Sequence, residues 1–206
     1  MSMLVALALI SAAPVKREVV VGEARKTMMA FAACLQNRAG FKLRKILDLP
    51  VGAKATRDRW ISLLDEGCLD IEGSLRFQPN VMRGAFYEII YRMDFGKFPA
   101  VVTFDDVAPI AYPVSQEDQY RDGAKYRLEM EVGDCMVHAD PAAARTLILT
   151  NVESDQETAS IKALVPVVSK CMDAGRTVTL STSIMRGLAA EALYRLSVAK
   201  RNAPHA

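Results

Sequence analysis

The chain has 206 residues, 26 of them basic and 24 acidic, for a formal net charge of +2, and 51% of them are hydrophobic. That balance supports a folded core and excludes a disordered chain, which is poor in apolar residues and high in net charge. No basic block or stripe stands out, which argues against nucleic acid as a partner, because phosphate binding needs a concentrated positive patch.

The first element is an apolar run from Met3 to Ile10 that leads into Ser11, Ala12 and Ala13, with the first charge at Lys16. An apolar stretch closed by small residues is the pattern of an export signal, so residues 1–13 are expected to be a signal peptide. The competing reading is a first buried helix or strand, since no Lys or Arg precedes the run and Pro14 follows it. The run is shorter than the ~20 apolar residues that cross a bilayer, and no other stretch is a candidate span.

Residues 22–94 then read as a mostly helical unit. In the segment 23–37, Met28, Phe31, Ala32 and Leu35 recur at helical spacing. A short helix follows over 41–49 and stops before Pro50. The segment 56–69 places Trp60, Ile61, Leu64 and Cys68 on one helical face, with Gly67 marking its end. Residues 73–77 read as a short extended piece. Asn80 is a candidate cap for a fourth helix over 81–94, whose apolar arc is Met82, Ala85, Phe86, Ile89, Ile90 and Met93.

Residues 95–126 differ in kind. They hold Pro99, Pro109 and Pro113 with Phe95, Phe98, Phe104 and Tyr112, and a short strand is expected at 101–104. The aromatic residues need cover from water, so this connecting segment is expected to lie across the helices.

Residues 127–200 return to the helical plan, leaving 201–206 as a tail. Asp140 before Pro141 is an N-cap followed by proline at the first helical position. Ser154 and Glu157 have capping-box spacing. Ile161, Leu164, Val168 and Cys171 line one face of the next helix, and Pro166 inside it is expected to kink it.

The plan returns because the chain is written twice. A slide of 103 positions lays Cys68 on Cys171, Met82-Arg83-Gly84 on Met185-Arg186-Gly187, Glu88 on Glu191, and Tyr91-Arg92 on Tyr194-Arg195 without a gap. Cys34 falls on Cys135 when two residues of loop change are allowed. The fold expected is mainly α: two tandem copies of a roughly four-helix, disulfide-stapled unit joined by an irregular Pro- and aromatic-rich segment. Two cysteines per copy pair most simply within it, as Cys34–Cys68 and Cys135–Cys171. Each bond would contribute roughly 3–4 kcal/mol in the chain-entropy model. The competing reading is four reduced, buried cysteines in a cytosolic protein. A zinc site needs ligands close in sequence, which these are not. Cys135 and His138 form a lone C-x-x-H, and haem attachment would need a cysteine where Val132 stands. No metal or cofactor is expected.

The residues shared by the copies lie mostly off the apolar arc. Gly84, Glu88 and Tyr91 share a face, Arg83 flanks it, and Arg92 follows Glu88 at the favoured i, i+4 spacing. Arg186, Gly187, Glu191, Tyr194 and Arg195 repeat the set. A mid-helix glycine costs about 1 kcal/mol against alanine, so its recurrence points to close approach of another backbone or ring. Two readings of this face follow: a packing surface with Glu88 and Tyr91 bonded inside their own unit, or a polar groove formed by both copies. Ser197 and Lys200 match S-x-x-K without its companion motifs, and Asp105-Asp106 is an adjacent acidic pair suited to solvent. No nucleophile elbow, zinc helix or phosphate loop is present.

The cysteine helix "FAACL", "DPAAARTLI" and "MRGLAAEALYR", behind an export signal, resemble uncharacterised exported proteins of alphaproteobacteria, of the sphingomonad kind. The resemblance covers most of the chain, implies export, and brings no catalytic residue. The expected role is a non-enzymatic periplasmic or secreted helical protein that binds a protein or small molecule or serves the envelope structurally. The alternatives are a hydrolase using Glu88 or Glu191 as general acid in a groove between the copies, and a cytosolic scaffold with an uncleaved N-terminus.

Overall fold

In the computed structural model, residues 21–51, 53–63, 66–68, 79–112, 123–172 and 180–203 are described. The expected signal segment 1–13 and the extended piece 73–77 lie outside them. Within the described residues the elements run α1 Val21–Leu47, α2 Lys54–Ser62, a 3-10 turn Glu66–Cys68, α3 Pro79–Asp94, α4 Gly123–Ala139, α5 Pro141–Leu149, α6 Asp155–Lys170 and α7 Thr182–Asn202, with no strand among them.

The two helices expected before Pro50 form one element, α1, which leaves helical geometry at Ala39 (φ −135°, ψ 26°). With Cys34 laid on Cys135, Ala39 falls on Asp140, the residue that separates α4 from α5. There the break is complete: the Asp140 carboxylate accepts from the Ala143 amide at 2.8 Å, and Pro141 opens the new helix. The caps of α6 and α7 act through side-chain oxygens too. Ser181 accepts from the Ile184 amide at 3.2 Å and Ser154 from the Glu157 amide at 3.1 Å. The capping box is shifted by one residue, because the Glu157 carboxylate returns to the amide of Glu153 at 2.8 Å. Glu153 has a left-handed φ of 62°, which turns that amide toward it.

Several boundaries differ from the sequence reading. The helix expected over 56–69 stops at Ser62, leaving Ile61 exposed and Cys68 in the 3-10 turn. Asn80 lies inside the first turn of α3 and does not precede it, its Oδ1 accepting from the Val81 amide. The tail is shorter than expected because α7 runs on to Asn202. The connecting segment gives up residues 123–126 to α4. Residues 101–104 form no strand, and among the described residues no strand lies beside them; the Thr103 carbonyl accepts from Lys200 instead. α6 runs through Pro166 as one element, the proline being on its exposed side.

α3 and α7 sit at the centre. α3 packs on α1 and α7; α7 packs on α3, α4 and α5; α6 closes over α4 and α5. One core runs through both halves, with Phe31, Leu35, Phe86 and Ile90 meeting Leu147, Ile148, Leu164 and Leu196. Trp60 stacks on Phe86 at 5.2 Å. Removing a side chain such as Phe86 from such a core costs about 3–5 kcal/mol. Met93 and Phe98, placed inside by the sequence reading, are 53% and 64% exposed.

The disulfides are Cys34–Cys68 and Cys135–Cys171. The first ties α1 to the 3-10 turn, the second α4 to the end of α6. Each staples one half to itself, and neither joins the halves. The connecting segment does cross between them: Phe104 is fully buried, and Arg145 donates to the carbonyls of Phe95, Gly96 and Phe98.

Candidate functional site

The face shared by the two copies is where α3 meets α7. A Cβ built on Gly84 would stand 2.4 Å from the Cα of Gly187, and one on Gly187 would stand 3.0 Å from the Cα of Gly84. Backbone therefore touches backbone at the crossing. This accounts for two mid-helix glycines despite their cost in helix propensity.

Close approach brings the residues beside each glycine within reach of the opposite helix. Arg83 Nε donates to Glu191 Oε2 at 2.9 Å and its Nη2 to Glu191 Oε1 at 2.8 Å. Reciprocally, Arg186 Nε donates to Glu88 Oε2 at 2.6 Å and its Nη2 to Glu88 Oε1 at 2.8 Å. Both pairs have the two-pronged geometry that makes guanidinium–carboxylate bonds strong. All four residues are at most 3% exposed. The bonds of Glu88 and Tyr91 are thus not confined to their own half: each glutamate takes its two-pronged arginine from the other. The tyrosines follow the same rule. Arg145 donates to Tyr91 Oη at 3.1 Å, and Arg44 to Tyr194 Oη at 2.8 Å.

The i, i+4 pairs add a second guanidinium to each carboxylate. Arg92 meets Glu88 at 2.8 Å and Arg195 meets Glu191 at 2.9 Å. The remaining N–H groups reach the carboxyl ends of neighbouring helices. Arg83 donates to the Leu47 carbonyl at the end of α1 at 2.6 Å, and Arg195 also reaches it. Arg186 and Arg92 both donate to the Thr150 carbonyl just beyond α5 at 2.6 Å. The last carbonyls of a helix have no partner within it and carry the negative end of its dipole, so these arginines act as caps.

Around Glu191 the shell is phenolic. Tyr126 Oη donates to Glu191 Oε2 at 3.0 Å, and Tyr87 Oη donates to the Leu47 carbonyl at 3.0 Å. Burial alone would raise the pKa of Glu191, but Arg83 and Arg195 outweigh it and hold the carboxyl below its ordinary range. Burial first, and then the charge of Glu191, push Tyr87 and Tyr126 well up, so both stay neutral. Around Glu88 the shell is ionic. Arg186 Nη1 donates to Glu157 Oε1 at 2.9 Å, Arg25 donates to both oxygens of Glu157, and Arg25 also meets Glu153 at 2.6 Å. Burial of Glu157 favours its neutral form, yet its bonds to Arg25 and the Glu153 amide keep its pKa lowered.

Among the described residues, the spaces that flank the glycine crossing are small. Two hollows of about 10 Å³ each flank the glycines, one lined by Tyr126, Glu129 and Glu191, the other by Met28, Glu88 and Arg186. Each has room for roughly one water, against the several hundred Å³ of a small-molecule pocket. A general acid at neutral pH needs a raised carboxyl pKa, whereas Glu191 is shifted the other way. The crossing serves to neutralise charge, cap helices and lock two helices in register.

All ten residues of the shared face, Arg83, Gly84, Glu88, Tyr91 and Arg92 with Arg186, Gly187, Glu191, Tyr194 and Arg195, meet here. Sequence reasoning missed Arg25, Arg44, Tyr87, Tyr126, Arg145 and Glu157. The copies differ at several of these places, as at Tyr87, which answers to Ala190. Asp106 and Lys200 lie elsewhere, joined at 2.6 Å. Comparison with protein-family models, with curated proteins and with solved structures gave no match.

Proposed function

We propose that this is an exported, disulfide-braced helical protein of two duplicated units, acting by binding or as a structural component of the bacterial envelope. The observation that carries the reading is the pair of within-half disulfides. Such bonds persist in oxidising compartments and are rare where thiols are kept reduced. No helix among the described residues is long and apolar enough to cross a membrane. The duplicated face supports the structural reading, since its ion pairs hold the two halves of the chain together. Glu88 and Glu191 are buried and bonded to arginines, which favours this reading over a hydrolase that would use either as a general acid.

The test is intact-mass and peptide mapping of the unreduced protein recovered from fractionated cells of its own host. The expected result is a chain trimmed near residue 14, in the periplasm or medium, with both disulfides formed. A cytosolic chain that retains Met1 and carries four free thiols would overturn the proposal in favour of the scaffold with an uncleaved N-terminus.

A further inference from the structure

The last turns of α1, α3 and α7 come together at one end of the molecule. Arg44 on α1 donates to Asp94 on α3 at 2.7 Å and to Tyr194 on α7 at 2.8 Å. Arg201 stands over the Phe95 ring at 5.0 Å, and Lys200 donates to the Thr103 carbonyl, which brings the start of the connecting segment to the same end. Large apolar side chains face water here. Phe41 is 74% exposed and Val102 88%, and Met93 and Phe98 are exposed too. On α1 the core side is Leu43, Ile46 and Leu47, and at 100° per residue Phe41 lies opposite them. One exposed apolar residue is ordinary, but several at one end, rimmed by charge, mark a surface that meets something.

The charge there says what it meets. Asp94 is held by Arg44 and Asp106 by Lys200. That leaves the exposed Lys42, Lys45, Lys97 and Arg201 against the exposed Asp48 and Asp105. This end is therefore basic, although the whole chain is nearly balanced. An arginine fork grips a single carboxylate, whereas a lysine is a point charge on a flexible stem. Arg44 already grips Asp94 and Arg201 lies over Phe95, so this end offers mainly lysine outward. Lys45 folds back over the Phe41 ring, its Nζ 4.3 Å from the ring centre. Rings with ammonium groups around them suit a boundary where apolar chains lie under negative headgroups: the ring enters, and the lysine stems reach back to the phosphates.

We infer that this end is a docking surface for an anionic phospholipid bilayer. Phe41, Phe98 and Val102 enter the headgroup boundary, and Lys42, Lys45 and Lys97 meet the phosphates. The contact is peripheral and reversible, held by a few apolar side chains and by charge that salt can screen. The inference deepens the envelope reading proposed above and rests on it for its setting.

The test is co-sedimentation of the purified, oxidised full chain with vesicles of equal parts phosphatidylglycerol and phosphatidylcholine, beside vesicles of phosphatidylcholine alone. Binding to the anionic vesicles is expected, weakening as salt is raised, with little binding to the neutral ones. Lys42→Gln combined with Lys45→Gln should weaken it roughly twentyfold, at about fivefold for each lysine near a charged surface. Phe41→Ser should weaken it roughly tenfold. Val165→Ser, at an exposed position on α6, should leave it unchanged. All these positions are exposed, so an unchanged urea midpoint separates loss of docking from loss of fold. Equal binding to both vesicles, no binding to the anionic ones, or Phe41 and lysine variants that bind like the wild type would each overturn the inference. Capture by poly-L-glutamate without vesicle binding would overturn it in favour of an acidic protein partner. Purified protein and vesicles read this surface wherever the chain resides in the cell, so this test and the export test can fail separately.

Discussion

The surroundings of Glu191 and Glu88 invite comparison because the same residues build both, yet the results differ. Each glutamate takes a two-pronged arginine from the opposite half and an i, i+4 arginine from its own helix. Each set of arginines caps the end of a neighbouring helix. Beyond that the two part. Glu191 alone faces Arg83 and Arg195, and neutral phenols of Tyr87 and Tyr126 complete the shell. Glu88 shares Arg186 with Glu157, which in turn binds Arg25, so charge alternates outward to Glu153 near the surface. The lesson is that the duplicated residues set the local geometry, while residues that the copies do not share decide how the buried charge is balanced.

The largest expected effect breaks the comparison at its arginines. Removing one partner of a buried pair leaves a charge uncompensated and costs about 3–5 kcal/mol. Arg186→Met should lie at the upper end of that range, since it uncovers Glu88 and Glu157 together. Arg83→Met should lie at the lower end, because it uncovers Glu191 alone. Urea unfolding of the oxidised proteins measures both. Equal losses would mean that Glu157 draws nothing from Arg186.

A second effect should be the same in the two halves. The disulfides close loops of nearly equal length, 34 and 36 residues apart in sequence. Replacing either pair by serines is expected to cost about 2–4 kcal/mol, and a clear inequality in midpoint would show that one half leans on its staple more than the other.

Third, the glycine contact is not symmetric. A methyl on Gly84 meets backbone at 2.4 Å, one on Gly187 at 3.0 Å. Overpacking of this kind costs about 1–3 kcal/mol. Gly84→Ala should stand near the top of that range and Gly187→Ala near the bottom, by thermal or urea unfolding.

The smallest effect concerns acid. Glu191 and Glu157 both have lowered pKa values when folded. A depressed carboxyl contributes stability that is present above its unfolded value of about 4.3 and lost as pH falls through the folded one. Stability curves taken downward from neutral pH should therefore drop more gently in Glu191→Gln and in Glu157→Gln than in the wild type. A Glu191→Gln curve parallel to the wild type would show that its charge is not linked to folding.

Much of this was legible in the sequence, and the limits have physical causes. The cysteine register, the helix around each glycine and the Glu88–Arg92 and Glu191–Arg195 pairs are local patterns or exact repeats. The cross-half bonds are neither. Glu88 lies 98 residues from Arg186, and nothing in the chain pairs them until the helices are known to cross at Gly84 and Gly187. The glycines pointed to a close approach without saying to what. Residues 101–104 misled because β-branched and aromatic residues favour strands only where another strand offers hydrogen bonds. Here side chains take that place. Phe98 misled for a simpler reason: an aromatic residue in a loop has no periodic pattern to say which way it faces.

The reciprocal pairing also sets an order of events as the chain is made. Cys34 and Cys68 lie close together and can bond as soon as both have emerged. Arg83 and Glu88 must wait for partners 108 and 98 residues further on. Domains form as units, with early segments folding first during synthesis, but the first half here keeps Arg83 and Glu88 without their two-pronged partners until α7 arrives. A nascent chain stopped before α7 is therefore stapled yet unfinished, and it offers a charged helix face to chaperones for as long as the rest of the chain takes to appear.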